Sequence, residues 1–115
     1  HAIWMKEKGK LSHIQNKSKT KTPQKRVALA GGDASFIGEN VAYTLYGIEL
    51  RNKKGKFYIN DSYEDIANDL VKMWRHSKGH YKNIITKGYY TTGVAIVIDQ
   101  EKNKVYAVQV FGGKQ

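Results

Sequence analysis

Apolar and polar positions change period several times along this chain, and each change marks an element. Over residues 1–10, Ile3 and Trp4, with Leu11 just beyond, fall on one helical stripe with lysines opposite. The stretch reads as the back half of a helix. Gly9 or Lys10 ends it, because glycine readily takes the left-handed conformation of a helix C-terminus. Residues 15–25 are polar and lysine-rich and read as an exposed loop. Pro23 suits the first turn of a short helix through Val27, Ala28, Leu29 and Ala30, stopped by Gly31 and Gly32. From Glu39 to Leu50 the pattern fits helix and strand equally. Arg51 to Lys56 reads as a turn, and Phe57-Tyr58-Ile59 as a short strand.

The clearest helix starts at Asp61 or Ser62. Ser62 with Asp65 resembles a capping box, with Asp in place of the usual Glu. Tyr63, Ile66, Leu70, Met73 and Trp74 recur at helical spacing and predict a core-facing stripe. Lys78-Gly79-His80 reads as a turn. Tyr89 to Asp99 then alternates as a strand, Asp99 to Lys104 connects a hairpin, and Val105 to Phe111 is the partner strand. Helices first and strands last, with one covered sheet, predict an α+β layered fold.

With 115 residues the chain suffices for one domain with a real core. A hydrophobic content of 40% and an aromatic content of 11% mark it as globular and not disordered. No apolar run approaches the ~18 residues of a membrane-spanning helix. The chain opens at His1 with an amphipathic pattern already running, which reads as a trimmed or processed start. The lack of a targeting segment therefore says little. Cysteine is absent, which excludes disulfides and thiol catalysis without fixing the compartment.

The formal charge of +10 is uneven: residues 1–26 carry eight Lys or Arg against one acid, Glu7. Such a surface attracts polyanions, whether nucleic acid, anionic lipid headgroups or acidic cell-wall polymers, and it also serves simply as a solubilising face. No helix-turn-helix, zinc-finger or RNA-recognition motif accompanies the charge, which argues against nucleic acid.

Of the four histidines, His1 and His76 sit in helical patterns, His76 on the exposed face. His13 and His80 each follow a helix, beside the small residues Ser12 and Gly79, which leave room for the backbone to approach a pocket. Together with Glu39 they would form a three-ligand set suited to zinc with one open position. The same trio could serve as a general base and its orienting partners. Ordinary half-buried histidines making structural hydrogen bonds fit the pattern equally. Ser77 is a candidate nucleophile only as any serine is. There is no G-x-S-x-G elbow, no phosphate-binding glycine motif and no H-E-x-x-H.

Several segments, in order, resemble the CAP domain, also called the SCP domain, of cysteine-rich secretory, antigen 5 and pathogenesis-related 1 proteins. They are Leu11-Ser12-His13, Arg26, Ala30-Gly31-Gly32 and Gly38-Glu39-Asn40-Val41-Ala42. Next comes Trp74-x-x-Ser77-x-Gly79-His80-Tyr81-x-Asn83-Ile84, then Gly93-Val94-Ala95 and Val105 to Phe111. The resemblance covers nearly the whole chain. It implies a single domain over 1–115 that lacks part of its first helix. The implied architecture is a three-layer α-β-α sandwich with a central, mostly antiparallel sheet and an open cleft. His13 resembles the family's first histidine, Glu39 its first acid and His80 its second histidine. The second acid falls three residues after the tryptophan, where this chain has Ser77, a spacing similar to bacterial members. Glu64 lies too far up its helix to replace it.

The resemblance implies a secreted or surface module, extracellular or at the cell surface. Its cleft would bind a metal ion such as Zn through His13, His80 and Glu39, with Ser77, Asn40 and Tyr81 around it. A small or lipidic ligand, such as a lipid or sterol, would enter the cleft, and the basic N-terminal half would dock on anionic lipid or cell-wall polymer. Two alternatives stay open. One is a hydrolase with His80 or His13 as base, Glu39 as orienting group and water or Ser77 as nucleophile. The other is a basic polyanion-binding domain.

Overall fold

The computed structural model describes residues 1–114. In chain order it holds α1 (Ala2–Lys8), a 3-10 turn (Ser18–Thr20), α2 (Pro23–Leu29), β1 (Phe36–Leu45), β2 (Glu49–Arg51), β3 (Phe57–Ile59), α3 (Tyr63–His76), α4 (Lys78–Ile85), β4 (Thr91–Asp99) and β5 (Lys104–Gly113).

The middle layer is a three-stranded antiparallel sheet in the order β1-β5-β4. The central strand β5 is the most deeply buried, as a strand covered on both faces must be. Alternation along the strands then supplies two cores. On one face Val41, Tyr106 and Val108 pack with Ala2 and Met5 of α1. On the other Ala42, Val105 and Ala107 pack with Ile66, Leu70 and Trp74 of α3. Helices on both faces of one sheet make the α-β-α sandwich that the family resemblance implies. The hairpin β2–β3 stands apart as a separate two-stranded ribbon.

Local chemistry sets the element ends. Gly9, at φ 60, closes α1 in the left-handed conformation. The Thr22 hydroxyl accepts from Lys25 N–H with Pro23 at the first helical position of α2. The Ser62 hydroxyl accepts from Asp65 N–H at 3.1 Å and caps α3. The Asp65 carboxylate reaches back to Asp61 N–H, one residue earlier than a strict capping box. Ser62→Ala should lower stability by about 1 kcal/mol, read as a shifted urea midpoint at unchanged slope.

Some expectations are corrected. The stretch 39–50 is strand followed by turn, with a break at Gly47 (φ 69). The 78–80 turn is the start of α4. An eight-residue helix with a glycine and two β-branched residues has weak intrinsic propensity, so its packing against α3 and β1 is what holds it. In α1 the inward residues are Ala2 and Met5, while Ile3 and Leu11 are exposed. The α3 stripe narrows to Ile66, Leu70 and Trp74, because Tyr63 at its open first turn is 79% exposed and Met73 borders a cleft.

Candidate functional site

The site forms at the free edge of β1, where side chains from both sheet faces meet. Gly38, Glu39 and Asn40 divide the labour. A Cβ at Gly38 would fall on the Tyr89 hydroxyl, and Tyr89 itself is stacked between Phe36 and Phe111. Alternation then sends Glu39 toward α2 and Asn40 toward α4.

Glu39 is the hub of the first side. Its side chain is 2% exposed. One oxygen accepts from His13 Nδ1 at 2.9 Å and the other from Arg26 Nη2 at 2.8 Å. The Arg26 guanidinium also donates to the carbonyls of His13, Thr20 and Lys21, pinning the loop 13–21 over the carboxylate. This explains how a long polar loop holds His13 in a fixed place. With Nδ1 donating to Glu39, His13 keeps Nε2 free of protein partners among the described residues, on a side chain 48% exposed.

His80 is held from the other side. Its Nδ1 lies 2.7 Å from Ser77 Oγ. Its backbone carbonyl accepts from the fully buried Asn40 amide, and Asn83 donates to Asn40 Oδ1 and to the Glu39 carbonyl. Two residues of α4, His80 and Asn83, are thereby tied to two of β1, Glu39 and Asn40. Burial lowers the His80 pKa first, and the electrostatic interaction with His13 lowers it further. The imidazole is therefore neutral near pH 7, the form that accepts or ligates.

Beside His80 a cleft of about 550 Å³ opens, walled by Leu11, Leu45, Leu50, Tyr58, Met73 and Trp74. Ser77 and Asp69 are among its polar groups. Asp69 accepts from Thr44 Oγ1 at 2.5 Å and Asn60 Nδ2 at 2.9 Å, anchoring the root of the β2–β3 ribbon to α3.

Structure and expectation differ in detail here. His13, Glu39, His80 and Ser77 do converge on one region. Glu39, however, spends both oxygens on His13 and Arg26, so its geometry is that of an orienting group and not of a direct ligand. Among the described residues no group of three or more His, Asp or Glu is assembled to hold a metal. Asn40 lies behind the cleft as a strut, and Tyr81, exposed on α4, is not among its lining side chains. Gly79 has open space where a Cβ would stand, so close approach does not require glycine there.

Sequence reasoning missed three residues. His1 is buried: its Nε2 donates to the Ser12 carbonyl at 2.5 Å, its Nδ1 accepts from Gln15 at 2.8 Å, and Nε2 lies 3.8 Å from Glu39. No signal in the sequence marks that role. Gln15 lies in the stretch that reads as loop, and Asp69 lies off the apolar stripe of α3, although Asp69, Met73 and Ser77 recur at four-residue spacing and so share one helix side.

A histidine pair oriented from behind by a carboxylate and a hydroxyl, on an α-β-α sandwich, defines the class of protein. Residues 1–111 match the profile of the CAP, or cysteine-rich secretory protein, family, and the chain belongs to that family. Its fold is similar to that of an extracellular protein containing an SCP domain from Bacillus anthracis. The TM-score is 0.69 at 21% identity, covering 99% of this chain and 29% of that one. It is also similar to an outer surface protein from Borrelia burgdorferi, with a TM-score of 0.67 at 19% identity, covering 99% of this chain and 68% of that one. The chain thus spans under a third of the length of the Bacillus protein. No curated protein matches the sequence significantly.

Proposed function

We propose that this CAP domain binds a divalent metal such as zinc between His13 and His80, and a small or lipidic ligand in the adjoining cleft. The observation that carries the reading is the matched anchoring of the two rings. Each imidazole is fixed at Nδ1, by Glu39 in one case and Ser77 in the other, and among the described residues neither Nε2 has a protein partner. That is the arrangement found behind metal-ligating histidines, where an outer hydrogen bond sets the tautomer and the ring orientation. Two protein ligands leave positions for solvent or a ligand group. A metal bound there would polarise an oxygen of that group. The apolar walls of the cleft favour a ligand with a hydrocarbon body. The two fold neighbours are named as an extracellular and an outer surface protein, which supports an extracellular or surface location. No helix among the described residues is long and apolar enough to cross a membrane.

Calorimetric titration with zinc tests this reading. Wild type should bind, and His80→Ala should weaken binding at least about 100-fold, at the upper end of what outer-shell changes alone produce. Equal heats from both proteins, or none from either, would remove the metal.

A hydrolytic reading rests on one further observation, the 2.7 Å Ser77–His80 pair, which has nucleophile–base spacing. No carboxylate bonds the His80 ring among the described residues, so the base has no orienting acid. Ester hydrolysis abolished by Ser77→Ala would favour this reading over simple binding.

A further inference from the structure

The β2–β3 ribbon and the last turns of α3 border a second groove, of about 820 Å³, which shares Tyr58, Met73 and Ser77 with the cleft beside His80 but extends away from the histidines onto the ribbon. Arg51, Lys53, Lys54 and Lys72 line it, over a floor of Tyr58 and Met73. No carboxylate lines it, and none of these four cations forms an ion pair among the described residues. Lys53 and Lys54, on the ribbon turn, are exposed.

The turn that carries them is rigidly built. Asn52 Oδ1 accepts from Lys54 N–H at 2.9 Å and Lys56 N–H at 3.0 Å, and Gly55, at φ 80, reverses the chain. The Arg51 guanidinium lies 4.5 Å from the Phe57 ring centroid. The backbone under the charges is therefore preorganised. Like charges on a concave surface repel one another and focus a positive potential that an anionic partner relieves.

We propose that this groove binds a linear polyanion carrying phosphate groups in series, independently of any metal at the histidines. The cations run from the ribbon tip to the helix, which suits several charges along a chain. The concave form keeps a flat bilayer from reaching the floor. Of its lining side chains only Tyr58 and His76 carry rings, too few to make a ladder for stacking successive bases, so backbone charge is what the groove reads.

Calorimetric titration with linear inorganic polyphosphate tests the proposal, using wild type, Lys53→Glu/Lys54→Glu, and a control, Lys17→Glu/Lys19→Glu. The control pair lies in the exposed basic loop and lowers the net charge equally. With four phosphates neutralised, a fourfold rise in salt should weaken wild-type binding about fiftyfold. The groove variant should bind about tenfold or more weakly with a flatter salt slope, and the control within about threefold of wild type. Circular dichroism melts should match, since the changed side chains are exposed. Equal losses in both variants would assign binding to net charge and overturn the proposal. So would no binding by folded wild type at low salt. Binding to anionic phospholipid vesicles without binding to polyphosphate would overturn it in favour of a membrane partner.

Discussion

Glu39→Ala is expected to destabilise the protein by about 3–5 kcal/mol, as measured by urea denaturation. The side chain is almost fully buried and satisfies two groups at once, His13 and Arg26. Removing it leaves the Arg26 guanidinium, itself only 13% exposed, beside an uncompensated cavity. It also frees the loop 13–21, whose carbonyls are held by that same guanidinium. The effect should extend to the site: in molecules that remain folded, zinc affinity should fall about 10–100-fold, because His13 loses the bond that sets its tautomer. A loss below about 1 kcal/mol would show that water replaces the carboxylate, and the buried hub would then be the wrong description.

Trp74→Ala is expected to cost a similar amount, about 3–5 kcal/mol, for a different reason. The indole closes the α3 side of the core against Ala42, Val105 and Ala107, donates to the Val41 carbonyl at 3.4 Å, and forms one wall of the cleft. Its loss leaves a void and an unpaired carbonyl in one step. Tyr63→Ala, on the same helix but at an exposed position, should lie within about 0.5 kcal/mol of wild type. Similar urea midpoints for the two variants would contradict the assignment of the core to Ile66, Leu70 and Trp74.

Much of this was legible in the sequence, and the reasons are local. The α3 cap at Ser62, the Pro23 start of α2, the Gly9 stop of α1 and the β4–β5 hairpin each rest on short-range chemistry that a sequence displays. The Glu39–Leu50 stretch was ambiguous because β1, packed on both faces along much of its length, lacks clean two-residue alternation. Helix α4 was hidden because tertiary contacts through Asn40 and Asn83 hold it, against modest propensity.

At the site, the positions of His13, Glu39 and His80 came from family resemblance and not from spacing. Nothing in their sequence separation predicts that two sheet faces meet at the β1 edge. Whether Glu39 ligates or orients was left open by the sequence, because the choice depends on Arg26, thirteen residues away and brought back by a loop. The uneven charge was legible, but its meaning shifts in the structure. Arg26 belongs to the Glu39 hub, and the cations that share one groove lie on the ribbon and on α3.

The central claim, that His13 and His80 present Nε2 to one shared site, is tested most directly by long-range imidazole ¹H–¹⁵N NMR during a zinc titration. The account predicts that the Nε2 resonances of His13 and His80 move together to one saturation point, while their Nδ1 resonances keep the pattern set by Glu39 and Ser77 and His76 stays unchanged. Movement of only one of the two rings, or separate saturation of each, would contradict it.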